Sequence, residues 1–250
     1  MIDLHSHILP GIDDGARTLD DSIEMALAAV DGGISTVAAT PHVRDDYPTL
    51  AGTMERLLGA LREALAFLSI DLRVLGGAEI AISSLRALEQ DDLRRFALAG
   101  NPRYLLLEFP YFSWPLSLEV EIERLGALGV TVVLAHPERN PDVQLAPERL
   151  KAAVSAGALV QLTAASVDGR LGSRTRRTAF ELIQNGLAHL IASDAHLPSV
   201  RSIGLQDAFQ ALSQSDLAQW FVEDVPRAIV EDTPIPPRPR DARRLRLFRR

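Results

Sequence analysis

The sequence predicts an α/β fold, specifically a distorted (β/α)7 TIM-like barrel with its site at the C-terminal ends of the strands. Three observations carry that expectation. Short apolar runs alternate with helical patterns along the chain, and 250 residues is a size at which such barrels form one unit. Polar clusters of metal-ligand type follow nearly every apolar run, which is where barrel sites gather.

Strands are expected near 2–5, 35–39, 72–76, 104–108, 130–135, 158–163 and 189–193. Helices are expected near 18–30, 50–68, 116–128, 146–156, 174–185 and 203–213. In the first helix Thr18 is the N-cap candidate, Asp20 and Asp21 suit the positive end of the helix dipole, and Gly32-Gly33 is the stop. Gly129, Gly157 and Gly186 end three more helices just before a strand. Alternation of this kind implies right-handed crossovers and a parallel sheet. Residues 1–232 read as one domain. Residues 233–250, rich in Pro and Arg, read as an extended or mobile tail. That tail is either a solvated extension or a basic arm, with Leu245, Leu247 and Phe248 as anchors for peripheral contact with an acidic membrane or partner.

A net charge of −7 argues against nucleic acid as the main ligand. The absence of cysteine excludes disulfides, thiolate metal sites and a cysteine nucleophile, so any metal is held by nitrogen and oxygen. No apolar run approaches the roughly 18 residues of a membrane-spanning helix. The first strand, at residue 2, leaves no room for a signal peptide, so a cytoplasmic location is expected.

The densest chemistry lies at the start, in Met1-Ile2-Asp3-Leu4-His5-Ser6-His7. Residues i and i+2 of a strand share a face, so His5 and His7 can present two imidazoles to one ion while Ile2 and Leu4 pack the other way. Asp13-Asp14-Gly15 closes the same loop, and either carboxylate could serve. Further ligand types follow in Thr40-Pro41-His42, Gly77-Ala78-Glu79, Leu107-Glu108-Phe109, Ala135-His136-Pro137-Glu138-Arg139 and Ser193-Asp194-Ala195-His196. Five of the six histidines fall in this set, which reads as a multi-metal hydrolase site. Asp3 and Glu138 read as supporting residues, and His189 as structural because it starts a strand. Tyr111, Phe112 and Trp114 are either packing or an aromatic wall for a substrate ring.

These blocks, together with Gln161-Leu162 and Gly169 to Gly172, resemble the PHP (polymerase and histidinol phosphatase) superfamily. Within it, the resemblance is to the bacterial metal-dependent protein-tyrosine phosphatases of capsule and exopolysaccharide loci. It runs from Met1 to about Asp232. It implies three divalent transition-metal ions, manganese first, with iron or zinc as alternatives. One would take His5, His7, Glu79 and Asp194. A second would share Glu79 and add Glu108 and His136, and a third would take Asp14, His42 and His196. It also implies hydrolysis of phosphotyrosine by attack of metal-bound hydroxide, with Arg139 and Arg201 gripping phosphate oxygens. The implied partner is a phosphotyrosine-bearing protein, the tail of a bacterial tyrosine autokinase controlling polysaccharide synthesis. A small-molecule phosphatase such as histidinol-phosphatase and a non-catalytic metal-bearing module are the rival readings. One departure stands out: Asn140 follows Arg139 where the family typically carries an aromatic.

Overall fold

The computed structural model describes residues 1–197 and 202–239. Arg201 and the basic run from residue 240 onward lie outside the described residues. In chain order the strands are β1 (Ile2–Ser6), β2 (Thr36–Ala39), β3 (His42–Arg44), β4 (Tyr47–Pro48), β5 (Arg73–Leu75), β6 (Glu79–Ala81), β7 (Tyr104–Glu108), β8 (Thr131–Ala135), β9 (Leu159–Thr163) and β10 (Leu190–Ala192). Each of the seven expected runs contains a strand. The additional β3, β4 and β6 are three residues or fewer.

Two of these extra strands continue an expected one across a break. Pro41 has no N–H to donate, so the ladder changes partner there. Thr40 N still donates to Ser6 O on β1 at 2.8 Å, whereas Pro41 O accepts from Glu79 N on β6 at 3.0 Å. Between β5 and β6 the chain passes through Gly76-Gly77, and a Cβ on Gly77 would stand 3.3 Å from the Leu98 backbone. The result is two hydrogen-bonded sheets rather than one, ordered β1-β2-β5 and β10-β9-β8-β7-β6-β3-β4. All pairings are parallel except β3 with β4. The end of β1 also meets the segment after β10 through a Ser6–Ala195 bridge, with His7 N donating to Ala195 O at 2.7 Å. The fold is therefore mixed α/β with parallel strands.

Helices lie between the strands. The first, α1 (Leu19–Asp31), begins as expected, with the Thr18 side chain accepting from Asp21 N. It is followed by α2 (Ala51–Phe67), α3 (Gln90–Arg95), α4 (Leu118–Ala127), α5 (Pro141–Leu145), α6 (Leu150–Ser155), α7 (Ala164–Asp168) and α8 (Ser173–Gln184). The expected helix over 146–156 is a 3₁₀ turn at Pro147–Arg149 leading into α6. Helices α9 (Gln206–Ala211), α10 (Asp216–Gln219) and α11 (Val225–Val230) follow, the last two joined by a π turn at Trp220–Asp224. That turn brings Pro226 into the first turn of α11, where its missing N–H costs little.

The core fills the space between strands and helices. Leu4, Ile8, Val37, Ile80, Leu107, Val133 and Val160 are wholly or almost wholly buried, each such side chain contributing roughly 1.5–3 kcal/mol. Residues 233–239, read from sequence as the start of a mobile tail, are laid against this body. Trp220 Nε1 donates to Pro236 O at 2.9 Å, Arg238 donates to Ile183 O at 2.6 Å, and Ile235 packs on the core. Among the described residues no helix is long and apolar enough to cross a membrane.

Candidate metal centre

Strand β1 and the residue just after it supply the first two imidazoles, and the sequence around them fixes how they point. His5 Nδ1 lies 3.0 Å from Gln161 Oε1, an acceptor, so Nδ1 carries the proton and Nε2 is free to face inward. His7 Nδ1 lies 2.7 Å from Asp13 Oδ2 and is held in the same sense. The two Nε2 atoms come within 3.3 Å of each other. Asp13 also accepts from the His42 and Gly15 backbone N–H groups, each at 3.0 Å. Gly15 is obligatory at this turn, because a Cβ there would come within 2.4 Å of His7 Cβ. The two aspartates therefore face different partners. Asp13 supports His7, while Asp14 turns Oδ1 to His42 Nε2 at 3.4 Å and His196 Nε2 at 3.3 Å.

Glu79, at the start of β6 and wholly buried, is central. Its Oε1 is 2.7 Å from His136 Nε2, and its Oε2 is 2.9 Å from His42 Nδ1 and 3.4 Å from His5 Nε2. Glu108 ends β7, with Oε2 4.0 Å from His42 Nδ1 and Oε1 accepting from Arg44 at 2.9 Å. Asp194 brings Oδ1 to 3.5 Å from both His5 and His7 and accepts from Arg139 on Oδ2 at 2.6 Å. His136 and Asp194 both adopt left-handed backbone conformations, at φ 38° and 51°. Each costs about 1–3 kcal/mol, a strain that typically accompanies functional sites.

All nine candidate ligands thus meet in four overlapping sets, each with donor atoms within 4.8 Å of one another. These are His7, Asp14, His42 and His196; His5, Glu79 and His136; His5, His7 and Asp194; and His42, Glu79 and Glu108. Three buried atoms within them, Glu79 Oε2, His42 Nδ1 and His136 Nδ1, make no hydrogen bond, although the first two are only 2.9 Å apart. Close, unaligned donor atoms in a buried mixture of imidazoles and carboxylates fit divalent cations better than they fit one another.

Electrostatics pull these groups apart. Burial opposes charge on His7, but Asp13 prevails and raises it well above the ordinary value. His42 is likewise pushed up to about 9 against burial, by Asp14 and Glu79. Glu79 is held well below the usual range despite burial, by His5 and His136. Glu108 is raised by burial and by Glu79. For His136 burial wins, lowering it to about 4 in spite of Glu79.

The surroundings are as specific. Arg139 lies 4.8 Å over the Tyr111 ring, which stacks on His136 at 5.6 Å and 13°. Of the other two aromatics, Trp114 packs edge-on against Phe109, and Phe112 is exposed. Asn140 donates to Pro110 O and Ser113 O and caps α5 through Asp142 N and Val143 N, so it ties down the loop that carries Tyr111. Glu138 accepts from Ser166 Oγ and Thr163 N, anchoring the turn between His136 and Arg139. Asp3 Oδ1 accepts from His5 N and Ser193 N, tying β1 to the exit of β10. In the sequence Gln161 is visible only as part of a motif, and nothing local singles out Tyr47. Alternation along β3 was the available signal for Arg44, which shares a face with His42.

Known proteins resemble the chain over most of its length. The family model for capsular polysaccharide synthesis, CpsB/CapC, matches residues 1–226. The chain is 36% identical to the tyrosine-protein phosphatase YwqE of Bacillus subtilis, over 99% of both chains. It is 26% identical to the tyrosine-protein phosphatase CpsB of Streptococcus pneumoniae, over 93% of this chain and 99% of that one. Its fold superimposes with a TM-score of 0.87 on a chain from the crystal structures of YwqE and CpsB, described as unique metal-dependent tyrosine phosphatases. That chain is 35% identical, and the match covers 96% of this chain and 100% of the other. The chain belongs to the CpsB/CapC family of capsular polysaccharide synthesis proteins.

Proposed function

We propose that this chain is a metal-dependent protein-tyrosine phosphatase. The observation that carries the reading is the convergence of nine imidazole and carboxylate ligands in a chain without cysteine. In this reading the strands form a distorted (β/α)7 barrel over residues 1–232. His5, His7, Glu79 and Asp194 would hold one ion, Glu79, Glu108 and His136 a second, and Asp14, His42 and His196 a third. Manganese is the first choice, and iron or zinc are the alternatives. Such ions, when bound, neutralise phosphoryl charge and make water a nucleophile at neutral pH.

The chain's own residues do the rest. Without a thiol there is no phosphocysteine route, and in this reading a water oxygen attacks phosphorus directly as the bond to the tyrosine oxygen breaks. Products are tyrosine and inorganic phosphate. A phenol of pKa about 10 leaves with far less protonation than an aliphatic alcohol needs, which favours phosphotyrosine over phosphoserine. Arg139, held by Asp194 and Tyr111, has a planar fork suited to two phosphoryl oxygens. The partner is a phosphotyrosine-bearing protein of the cytoplasm, the tail of a bacterial tyrosine kinase governing capsule or exopolysaccharide synthesis.

Comparing kcat/KM for a phosphotyrosine peptide, a phosphoserine peptide and histidinol phosphate on one metal-loaded preparation tests this. The phosphotyrosine peptide is expected to be turned over fastest, and iodoacetamide to have no effect. Faster turnover of histidinol phosphate would replace this reading with a small-molecule phosphatase. No turnover of any ester would replace it with a non-catalytic module.

A further inference from the structure

Arg44 shares the inward face of β3 with His42. It lies one residue beyond the Val43–Ile80 pair, level with Ala81, and Ala81 is paired in turn with Glu108 on β7. Two strand spacings of about 4.8 Å separate Arg44 from Glu108, and the small Ala81 side chain between them leaves the path open. The Arg44 guanidinium crosses it and donates Nη1 to Glu108 Oε1 at 2.9 Å.

This arrangement repeats the one around Arg139. Tyr111 stacks on His136, and Arg139 lies 4.8 Å over Tyr111 while bonding Asp194. Tyr47 stacks on His42 at 5.7 Å and 19°, and Arg44 lies 5.2 Å from the Tyr47 ring while bonding Glu108. Each arrangement is an arginine, a tyrosine and a ligand-type histidine, with the arginine tied to a ligand-type carboxylate. A cleft of about 560 Å³, lined among others by Arg44, Ser83, Glu108, Pro110 and Tyr111, reaches the centre beside Arg44. That volume is in the range of ligand sites.

A guanidinium cannot bind a metal ion and does not lose its proton, so Arg44 stays cationic while it holds Glu108 Oε1 and leaves Oε2 facing His42. Arg44 Nε lies 2.7 Å from Oδ1 of the exposed Asp46, so Nη1 and Nε face carboxylates and Nη2 is the arm left to meet an anion entering beside the centre. We propose that Arg44 is a second phosphoryl-binding arginine, gripping the substrate's phosphate monoester from the cleft together with Arg139. The proposal rests on the phosphatase reading above.

The test uses the full chain, metal-loaded, as wild type, Arg44→Ala and Arg44→Lys. Metal content is measured, and inorganic phosphate is titrated calorimetrically and as an inhibitor of aryl phosphate hydrolysis. Arg44→Ala is expected to keep its metal and bind phosphate roughly 10- to 100-fold more weakly, the worth of a charge-assisted hydrogen bond. Arg44→Lys is expected to keep its metal and fall between the two, a point charge replacing a fork. Unchanged phosphate affinity with intact metal content in Arg44→Ala would overturn the proposal. If Arg44→Ala loses metal, Arg44→Lys decides: weakened phosphate binding with metal retained supports the proposal. Wild-type affinity, or loss of metal there too, makes Arg44 a structural partner of Glu108 and overturns it. A wild-type protein that binds metal but neither binds phosphate nor hydrolyses the ester would remove the phosphatase reading itself.

Discussion

Five histidines gather into one buried cluster and the sixth, His189, stands apart, and the difference lies in what surrounds each ring. His5, His7, His42, His136 and His196 look onto Glu79, Glu108, Asp14 or Asp194. His189 precedes β10, its Nδ1 accepts the Val160 N–H at 3.1 Å, and the charge acting on it is that of Arg238. Carboxylates raise His5, His7 and His42 against burial, whereas burial reinforced by Arg238 lowers His189 to about 4. His136 combines both situations. Glu79 touches it, yet burial still lowers it to about 4, so its ring is already in the neutral form that a metal ligand requires. A buried histidine is therefore informative about function only together with the sign of the charge it faces.

The most severe way to break the cluster is through Glu79, which touches His5, His42 and His136 at once. Glu79→Gln keeps the shape and removes the charge shared by two of the proposed ions. Turnover is expected to fall by more than the roughly 10²- to 10³-fold that one lost electrostatic contact costs, with metal content falling in parallel. Elemental analysis beside an aryl phosphate assay checks it, and full metal content in this variant would mean that Glu79 is not a bridge.

Arg139 makes the next largest expected difference, and it separates phosphate from metal. Arg139→Ala is expected to lower kcat roughly 10²- to 10³-fold while leaving metal content intact. Near wild-type turnover would take Arg139 out of the mechanism and leave it as a partner of Asp194 and Tyr111.

A smaller effect is expected where a histidine is held rather than replaced. Asp13 fixes the His7 ring and the backbone of His42 and Gly15 together. Asp13→Asn is expected to weaken metal affinity about 10- to 100-fold, the usual cost of losing such support, without removing a ligand. Competition with a chelator of known affinity measures this. An unchanged affinity would show that packing against Gly15 alone orients His7.

The cluster was legible in the sequence for a physical reason. Parallel strands deliver their C-terminal ends to one side of a sheet, so ligand types recurring after apolar runs must converge there. What the sequence concealed was pairing across long separations. Gln161 reaches His5 from 156 residues away, and no local pattern marks that pairing. Strands β3 and β6 were hidden because Pro41 and Gly76-Gly77 read as breaks, although the ladder passes through them by changing partner. Helices α3, α5 and α7, six residues or fewer each, are too short for a 3.6-residue period to register. The run over 216–230 does carry helical spacing in Leu217, Trp220, Phe221, Val225 and Ile229, but Pro226 reads as a breaker until the π turn is seen to make room for it.

His189 itself offers the mildest test, one that leaves the cluster untouched. Its value is about 4 in the fold, by burial first and Arg238 second, against 6.5 when exposed. Above pH 6.5 the ring is neutral in folded and unfolded chains alike, so its contribution to stability is full. Between 6.5 and 4 the unfolded chain takes up a proton that the folded chain refuses, and stability falls as pH falls. Below 4 both states are protonated and nothing more is lost. The whole window is worth about 3 kcal/mol, and the part down to pH 5 about 2 kcal/mol. Asparagine can accept the Val160 N–H through its side-chain oxygen but cannot titrate. His189→Asn is therefore expected to lose about 2 kcal/mol less than wild type between pH 7 and pH 5, whatever constant packing cost it carries at both. Denaturant unfolding of both proteins at the two pH values measures the difference, and the cluster histidines cancel in the comparison. Equal pH dependence would mean that His189 is protonated in the fold, and its separation from the other five would then need another explanation than the charge it faces.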